Sequence, residues 1–421
     1  MKTREYRFFA SLLIFLLLSA TGHASPTASS IAVVLEQPRE EQNVTETVAT
    51  TVLTDIKPEK KVIGQYIRGI HLSVWVSGSE KRRRGAIDLF DNTELNTAVI
   101  DIKEYEGKVY IDGIKIVDAN NAYVSAVPDI KDYVAKLKEK GVYTIARIVV
   151  FRDNTMTRKK PKLAVKNPDG TIWTDRNNIA WLDPYNQDAW DYNLQIAERA
   201  VSIGFDEIQF DYIRFPSDGN TKNCRYSKPH SATEASKALV GFLKEANRRL
   251  KNKGAKISID VFGLTTTATD DMGIGQRIIE MTEWVDYVSP MVYPSHYGKW
   301  NYGIAEPNKE PYKVVYYAIE GALKRIPSEK LRPWLQDFSF GHHKYGKDEV
   351  RTQIQACYDN KIGNWLLWNS RSVYTRSALR GQDEGNSYQE SDPPTSEMLK
   401  TAEKKQQAEN TQEKPPTIEQ V

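Results

Sequence analysis

Two carboxylates carry the strongest chemical signal in this chain. Asp211 lies within the apolar run Glu207–Phe215, and Asp260 lies within the run Lys256–Phe262. If these runs are neighbouring parallel strands, side-chain alternation puts Gln209 and Asp211 on one face and leaves both acids at adjacent strand ends. Such a pair can work on a glycosidic bond. One carboxylic acid protonates the leaving oxygen while the other attacks the sugar or activates water. Proximity also drives the two pKa values apart, which separates acid from nucleophile at a single pH. Other polar residues occupy comparable positions. Asp101 and Lys103 share a face at the end of Ala98–Lys103, so a carboxylate and an ammonium are expected at or near the same rim. Arg147 stands inside the apolar run Thr144–Phe151, and Arg214 begins the loop after Asp211. Tyr293, Gln336 and Trp368 lie near the ends of three later runs. With Gln209, these residues are expected to hold substrate, aromatic faces stacking on the apolar faces of sugar rings. The competing expectation for Arg147, and for either acid, is a structural ion pair, because a charge in mid-strand needs a partner.

Positioning these groups requires a repeating frame, and the sequence supplies one. Eight strand-like runs occur: Gly69–Val74, Ala98–Lys103, Thr144–Phe151, Glu207–Phe215, Lys256–Phe262, Val285–Tyr293, Arg332–Phe338 and Trp365–Asn369. Between them lie helical patterns over Ile130–Lys140, Gln187–Ser202, Ser231–Lys251, Ile274–Glu283, Pro311–Arg325 and Asp348–Asn360. Near-continuous β-branched and aromatic runs are what parallel strands covered on both faces look like. The α/β alternation therefore predicts a (β/α)₈ barrel over residues 64–380, with chemistry at the C-terminal strand ends. An open doubly wound sheet is the alternative, but no G-x-G-x-x-G turn follows the first run. The long connection Arg152–Asp183, with Trp173 and Trp181, is expected to form a folded wall of the cleft. Lys81–Arg84 is expected to be a solvated loop.

Composition narrows the function classes. The chain has 58 basic against 55 acidic residues, and this near balance argues against a nucleic-acid binder that relies on concentrated positive charge. Two cysteines cannot build a disulfide scaffold or a four-cysteine metal site. No H-E-x-x-H set and no G-x-S-x-G elbow occur, so neither a metal nor another cofactor is expected. A polysaccharide is the expected partner. Lys2, Arg4 and Arg7 precede the apolar stretch Phe8–Ala20, and Gly22 and Ala24 precede Ser25. This layout predicts a signal peptide over 1–24 and a mature chain that is secreted or held in the cell envelope. Membrane contact is expected only if that segment stays uncleaved. Residues 25–63 read as a low-complexity linker and 381–421 as a disordered polar tail.

Several segments also look familiar together. Gly69-Ile70-His71-Leu72, Ala98 through Lys103, Ala146 through Phe151, Trp181-Leu182-Asp183-Pro184 and Gly204 through Pro216 resemble a bacterial family of glycosyl hydrolase domains within the TIM-barrel glycosidase superfamily. Pro290 through Pro294 and Trp334 through Phe338 are similar too. The resemblance implies fold and superfamily; it carries over no catalytic residues. By analogy, substrate-assisted chitinases end their fourth strand in D-x-x-D-x-D-x-E and their sixth in M-x-Y. Asp206, Asp211 and Met291-Val292-Tyr293 fit, but Gln209 and Ile213 stand where an aspartate and the catalytic glutamate belong. The amylase-like arrangement, a nucleophile on the fourth strand and an acid on the fifth, suits Asp211 and Asp260 better. A barrel that binds carbohydrate without cleaving it is the alternative reading.

Overall fold

A computed structural model describes residues 66–382, and in it the chain closes an eight-stranded parallel barrel. The strands are β1 Arg68–Leu72, β2 Thr97–Lys103, β3 Tyr143–Val149, β4 Glu207–Asp211, β5 Lys256–Phe262, β6 Tyr287–Val292, β7 Trp334–Gln336 and β8 Trp365–Trp368. Each pairs with the next in sequence, and β8 pairs with β1. The main helix after each of the first seven strands is, in order, α1 Glu80–Asn92, α2 Ile130–Glu139, α3 Gln187–Ile203, α4 Ala232–Leu250, α5 Ile278–Thr282, α6 Pro311–Leu323 and α7 Lys347–Asp359. The barrel expected from the alternation is the barrel found. After β8 comes a 3₁₀ turn over Arg376–Ala378. The leader, the linker and almost all of the tail fall outside the described residues. Among those described, no helix is long and apolar enough to cross a membrane.

Period-two alternation divides every strand between two environments. Outward residues such as Ile70, Ile100, Ile148, Phe210 and Ile259 are buried against the helices. Inward residues stack in layers, as barrel interiors require. At the N-terminal end, Glu207 accepts from Arg332 Nη1 at 3.1 Å and Tyr143 Oη at 3.1 Å, and also from Ser258 Oγ. Arg332 in turn sits 4.4 Å from the Tyr287 ring centre. Above this charged layer Val99, Ile145, Trp334 and Leu366 pack together, and the candidate site lies above them.

Two local expectations change. Lys81–Arg84 belongs to α1, not to a loop. Its Arg83 is buried, donates to both carboxylate oxygens of Asp129 at 2.6 Å, and lies 4.0 Å from the Tyr133 ring centre. The apolar stripe of α1 is thin, only Ala86 and Phe90 with that buried arginine, which is why it does not read as a helix. α3 begins at Gln187, where its pattern places it, capped by the Asn186 side chain on the Asp188 amide at 2.9 Å. α5 is shorter than its pattern. Gly273 and Gly275 both have positive φ, and the Asp271 carboxylate accepts their amides at 3.1 Å, tying Asp271–Gly275 into a turn.

Candidate active site

The barrel register brings the polar side chains of neighbouring strands together. Asp101 of β2 pairs in register with Arg147 of β3, and Arg147 with Gln209 of β4. Two residues further along β4, on the same face, stands Asp211; Asp260 occupies β5 beside Ser289 of β6. All of these point inward.

Arg147 is the hub. Its Nη1 donates to Asp101 Oδ1 at 2.6 Å, its Nη2 donates to Asp211, and its Nε lies 3.8 Å from Asp260 Oδ2. Asp101 Oδ2 is 2.7 Å from His71 Nε2 of β1. The His71 ring stacks on Trp368 of β8 at 4.0 Å, and the Arg147 guanidinium lies 4.8 Å from the same indole. Trp334 Nε1 donates to Asp260 Oδ1 at 2.7 Å. Asp211 Oδ1 accepts the amide of Tyr212 at 2.6 Å, and Tyr212 turns the chain with φ of +50°.

This arrangement biases the acids differently. Burial would raise the Asp101 carboxyl, but His71 and Arg147 more than offset it and hold it at about 2. Burial first, and then the charge of Asp211, push Asp260 well above the usual carboxylate range, against the opposing pull of Arg147 and the Trp334 hydrogen bond. Burial works against the charge on Arg147, yet Asp211, Asp101 and Asp260 together raise its pKa. Asp260 is thus biased towards the protonated form that a general acid needs.

Both acids line one cavity of about 370 Å³, together with Arg147, Arg214, Tyr293 and Trp368. Asp211 is 4% exposed and Asp260 1%, so each meets that cavity through a small part of its surface. The expected ion pair and the expected shared pocket therefore coexist at Arg147.

Not every candidate belongs to the site. Lys103 was expected at the rim on the face of Asp101, and that is corrected. A β-bulge between Asp101 and Lys103 shifts the register, so Lys103 comes opposite Ile148. Fully buried in the helix layer, its ammonium lies 2.9 Å from Asp153 and donates to Val149 O at 2.6 Å and Asn193 Oδ1 at 3.1 Å. Gln209 points inward but below the cavity, donating to Ser289 Oγ at 3.4 Å. Gln336 is spent on architecture, accepting the Ser295 amide at 3.0 Å and donating to Phe338 O at 2.8 Å. The long β3 connection is folded, and it backs the site from behind: Trp181 lies 4.8 Å from Arg214. Sequence reasoning missed His71 and Trp334 as partners of the acids. The signal for His71 was available, since Gly69 and His71 occupy the face opposite Ile70 and Leu72.

The fold agrees with known structures. The glycoside hydrolase domain of PgaB (BpsB) from Bordetella bronchiseptica superposes with a TM-score of 0.54 at 12% identity, covering 73% of this chain and 94% of that one. An α-galactosidase from Lactobacillus brevis gives 0.50 at 9% identity, over 77% of this chain and 40% of its own. A hypothetical protein from Ruminiclostridium thermocellum ATCC 27405 is 37% identical, over 46% of this chain and 97% of that one, with a TM-score of 0.42. No curated protein matches the chain. The model of the family described as "Putative glycosyl hydrolase domain" matches residues 69–374, the barrel almost from end to end, and the chain belongs to that family.

Proposed function

We propose that this barrel hydrolyses glycosidic bonds of a polysaccharide outside the cytoplasm, Asp211 serving as nucleophile or base and Asp260 as general acid. The observation that carries the reading is that both carboxyls open on one cavity while their environments differ. Asp260 is buried beside a second acid and favours its protonated form; Asp211 accepts from Arg147 and a backbone amide. That asymmetry is what two-carboxylate glycoside hydrolysis uses. Tyr293 and the Trp368 indole would flank the sugar, and Arg147 would fix Asp211 against it.

A polymeric substrate is supported by the surface around the cavity. Among the described residues, the large apolar side chains most exposed are Trp75, Tyr105, Ile279, Trp300, Phe340 and Val373. All but Ile279 lie on connections that leave the C-terminal ends of strands, as a row of sugar-stacking subsites would. A groove of about 680 Å³ beside β1 and β8 contains Trp75, Val373 and Tyr374. Export is supported by the basic, apolar and small-residue order of the first 24 residues.

Purified protein incubated with envelope and capsular polysaccharides should release reducing ends, and Asp211→Asn and Asp260→Asn should each abolish that release while the circular dichroism spectrum still reports a folded barrel. The near-complete burial of both acids favours a second reading, a barrel that binds glycan without cleaving it. Binding by calorimetry with no release from wild-type protein would decide for that reading.

A further inference from the structure

Arg214 sits on the wall of the cavity that holds Asp211 and Asp260, yet it has no acid partner. The buried arginines Arg68, Arg147, Arg152 and Arg332 each pair with a carboxylate: Glu94, Asp101 and Asp211, Asp175, and Glu207 respectively. Arg214 is buried to a similar degree and forms no ion pair among the described residues. Asp211 and Asp218 act on it only from a distance, and burial lowers its pKa. Three rings surround it instead, with the centres of Trp181, Tyr212 and Phe262 at 4.8, 4.9 and 4.7 Å from the guanidinium carbon. Aromatic faces compensate a buried cation only in part.

Its hydrogen bonds show which edge is spare. Nη1 donates to Phe215 O at 3.1 Å and Ser217 Oγ at 3.0 Å, which uses both of its hydrogens. Nε and Nη2 have no partner among the described residues, and neither is sealed from solvent. Together they form the side-on edge of the guanidinium, two parallel N–H donors that match the two oxygens of a planar carboxylate.

We propose that the sugar bound beside Asp211 and Asp260 carries a carboxylate, gripped by the Nε–Nη2 edge of Arg214, so that the substrate is a uronic-acid polysaccharide. This rests on the glycosidase reading for the chemistry but not for the binding. Arg147, lying between the acids, offsets the negative charge an incoming uronate would meet.

The test uses the full chain with Asp211→Asn, which can bind without cleaving, and calorimetry against oligogalacturonate, oligoglucuronate and alginate oligomers. Each is compared with its carboxyl-reduced counterpart, identical in linkage but neutral. At least one uronate should bind about tenfold or more tighter than its reduced form, the size expected of a charge-assisted bidentate contact. Adding Arg214→Gln should erase that preference. Arg214→Lys, which keeps the charge and loses the fork, should erase most of it. Equal binding of acidic and reduced sugars, absence of binding to any of them, tighter binding of a sulfated oligosaccharide, or a preference that survives Arg214→Gln would each overturn the proposal. Uronate binding through Arg214 with no cleavage by wild-type protein would overturn the glycosidase reading alone.

Discussion

Replacing Asp101 by Asn tests whether the charge network or simple packing holds the cavity floor. Asp101 accepts from Arg147 and lies against His71, and its carboxyl is held at about 2 against 3.8 for an unperturbed aspartate. At 1.36 kcal/mol for each pH unit, ionised Asp101 contributes about 2.4 kcal/mol to folding at neutral pH. The depressed value sets the sign. The contribution is fully present above about 4 and disappears as pH falls towards 2, and about half of it, near 1.3 kcal/mol, remains at pH 3. The near-isosteric amide keeps the shape and loses the charge, so urea unfolding at pH 7 should show a loss of about 2 to 3 kcal/mol. Leaving Arg147 without one of its carboxylates can add to that. The measurement is the stability difference between wild type and variant at pH 7, 5, 4 and 3. A difference that narrows by about 1 kcal/mol between pH 5 and pH 3 supports the network. A difference constant across that range would refute it, because packing losses do not titrate.

Other perturbations separate the site from its scaffold. Trp334→Phe removes the donor that lowers the Asp260 pKa, so the proposed general acid should stay protonated to higher pH. The alkaline limb of the kcat/KM profile should move up by on the order of one pH unit, and a limb that moves down would contradict the assigned role. Lys103→Met leaves Asp153 buried without its ammonium and should cost about 3 to 5 kcal/mol in urea unfolding. Because Lys103 lies in the helix layer, the same variant should leave the pH profile of hydrolysis in place; a displaced profile would return Lys103 to the site.

The sequence made much of this legible because its signals are local. Alternation within Glu207–Asp211 and Lys256–Phe262 requires nothing beyond the strand itself, and it was enough to send Asp211 and Asp260 inward at adjacent strand ends. Counting strand and helix patterns likewise sufficed for the barrel. Lys103 shows where such reasoning stops. Period two holds only while the ladder is regular, and one bulge after Asp101 reverses the face of the residues beyond it. Nothing in Ile100 through Lys103 marks that bulge, because it depends on how β2 fits β3.

The partners of the acids were less legible still. His71 lies 30 residues from Asp101, and its stacking partner Trp368 comes from the far end of the barrel. They meet only because β8 closes on β1. The amino-acid order, then, determined the eight strands, most of the helices and, away from the bulge at Lys103, which strand residues turn inward, since each of these is fixed by neighbours a few positions away. The tertiary structure decided that Arg147 would stand among three acids, that Asp260 would lose its solvent, and that Arg214 would be buried without a counter-ion. Charge interactions and desolvation depend on what lies within a few ångströms in space, and the strand pairing of the barrel together with the loops folded over it sets that.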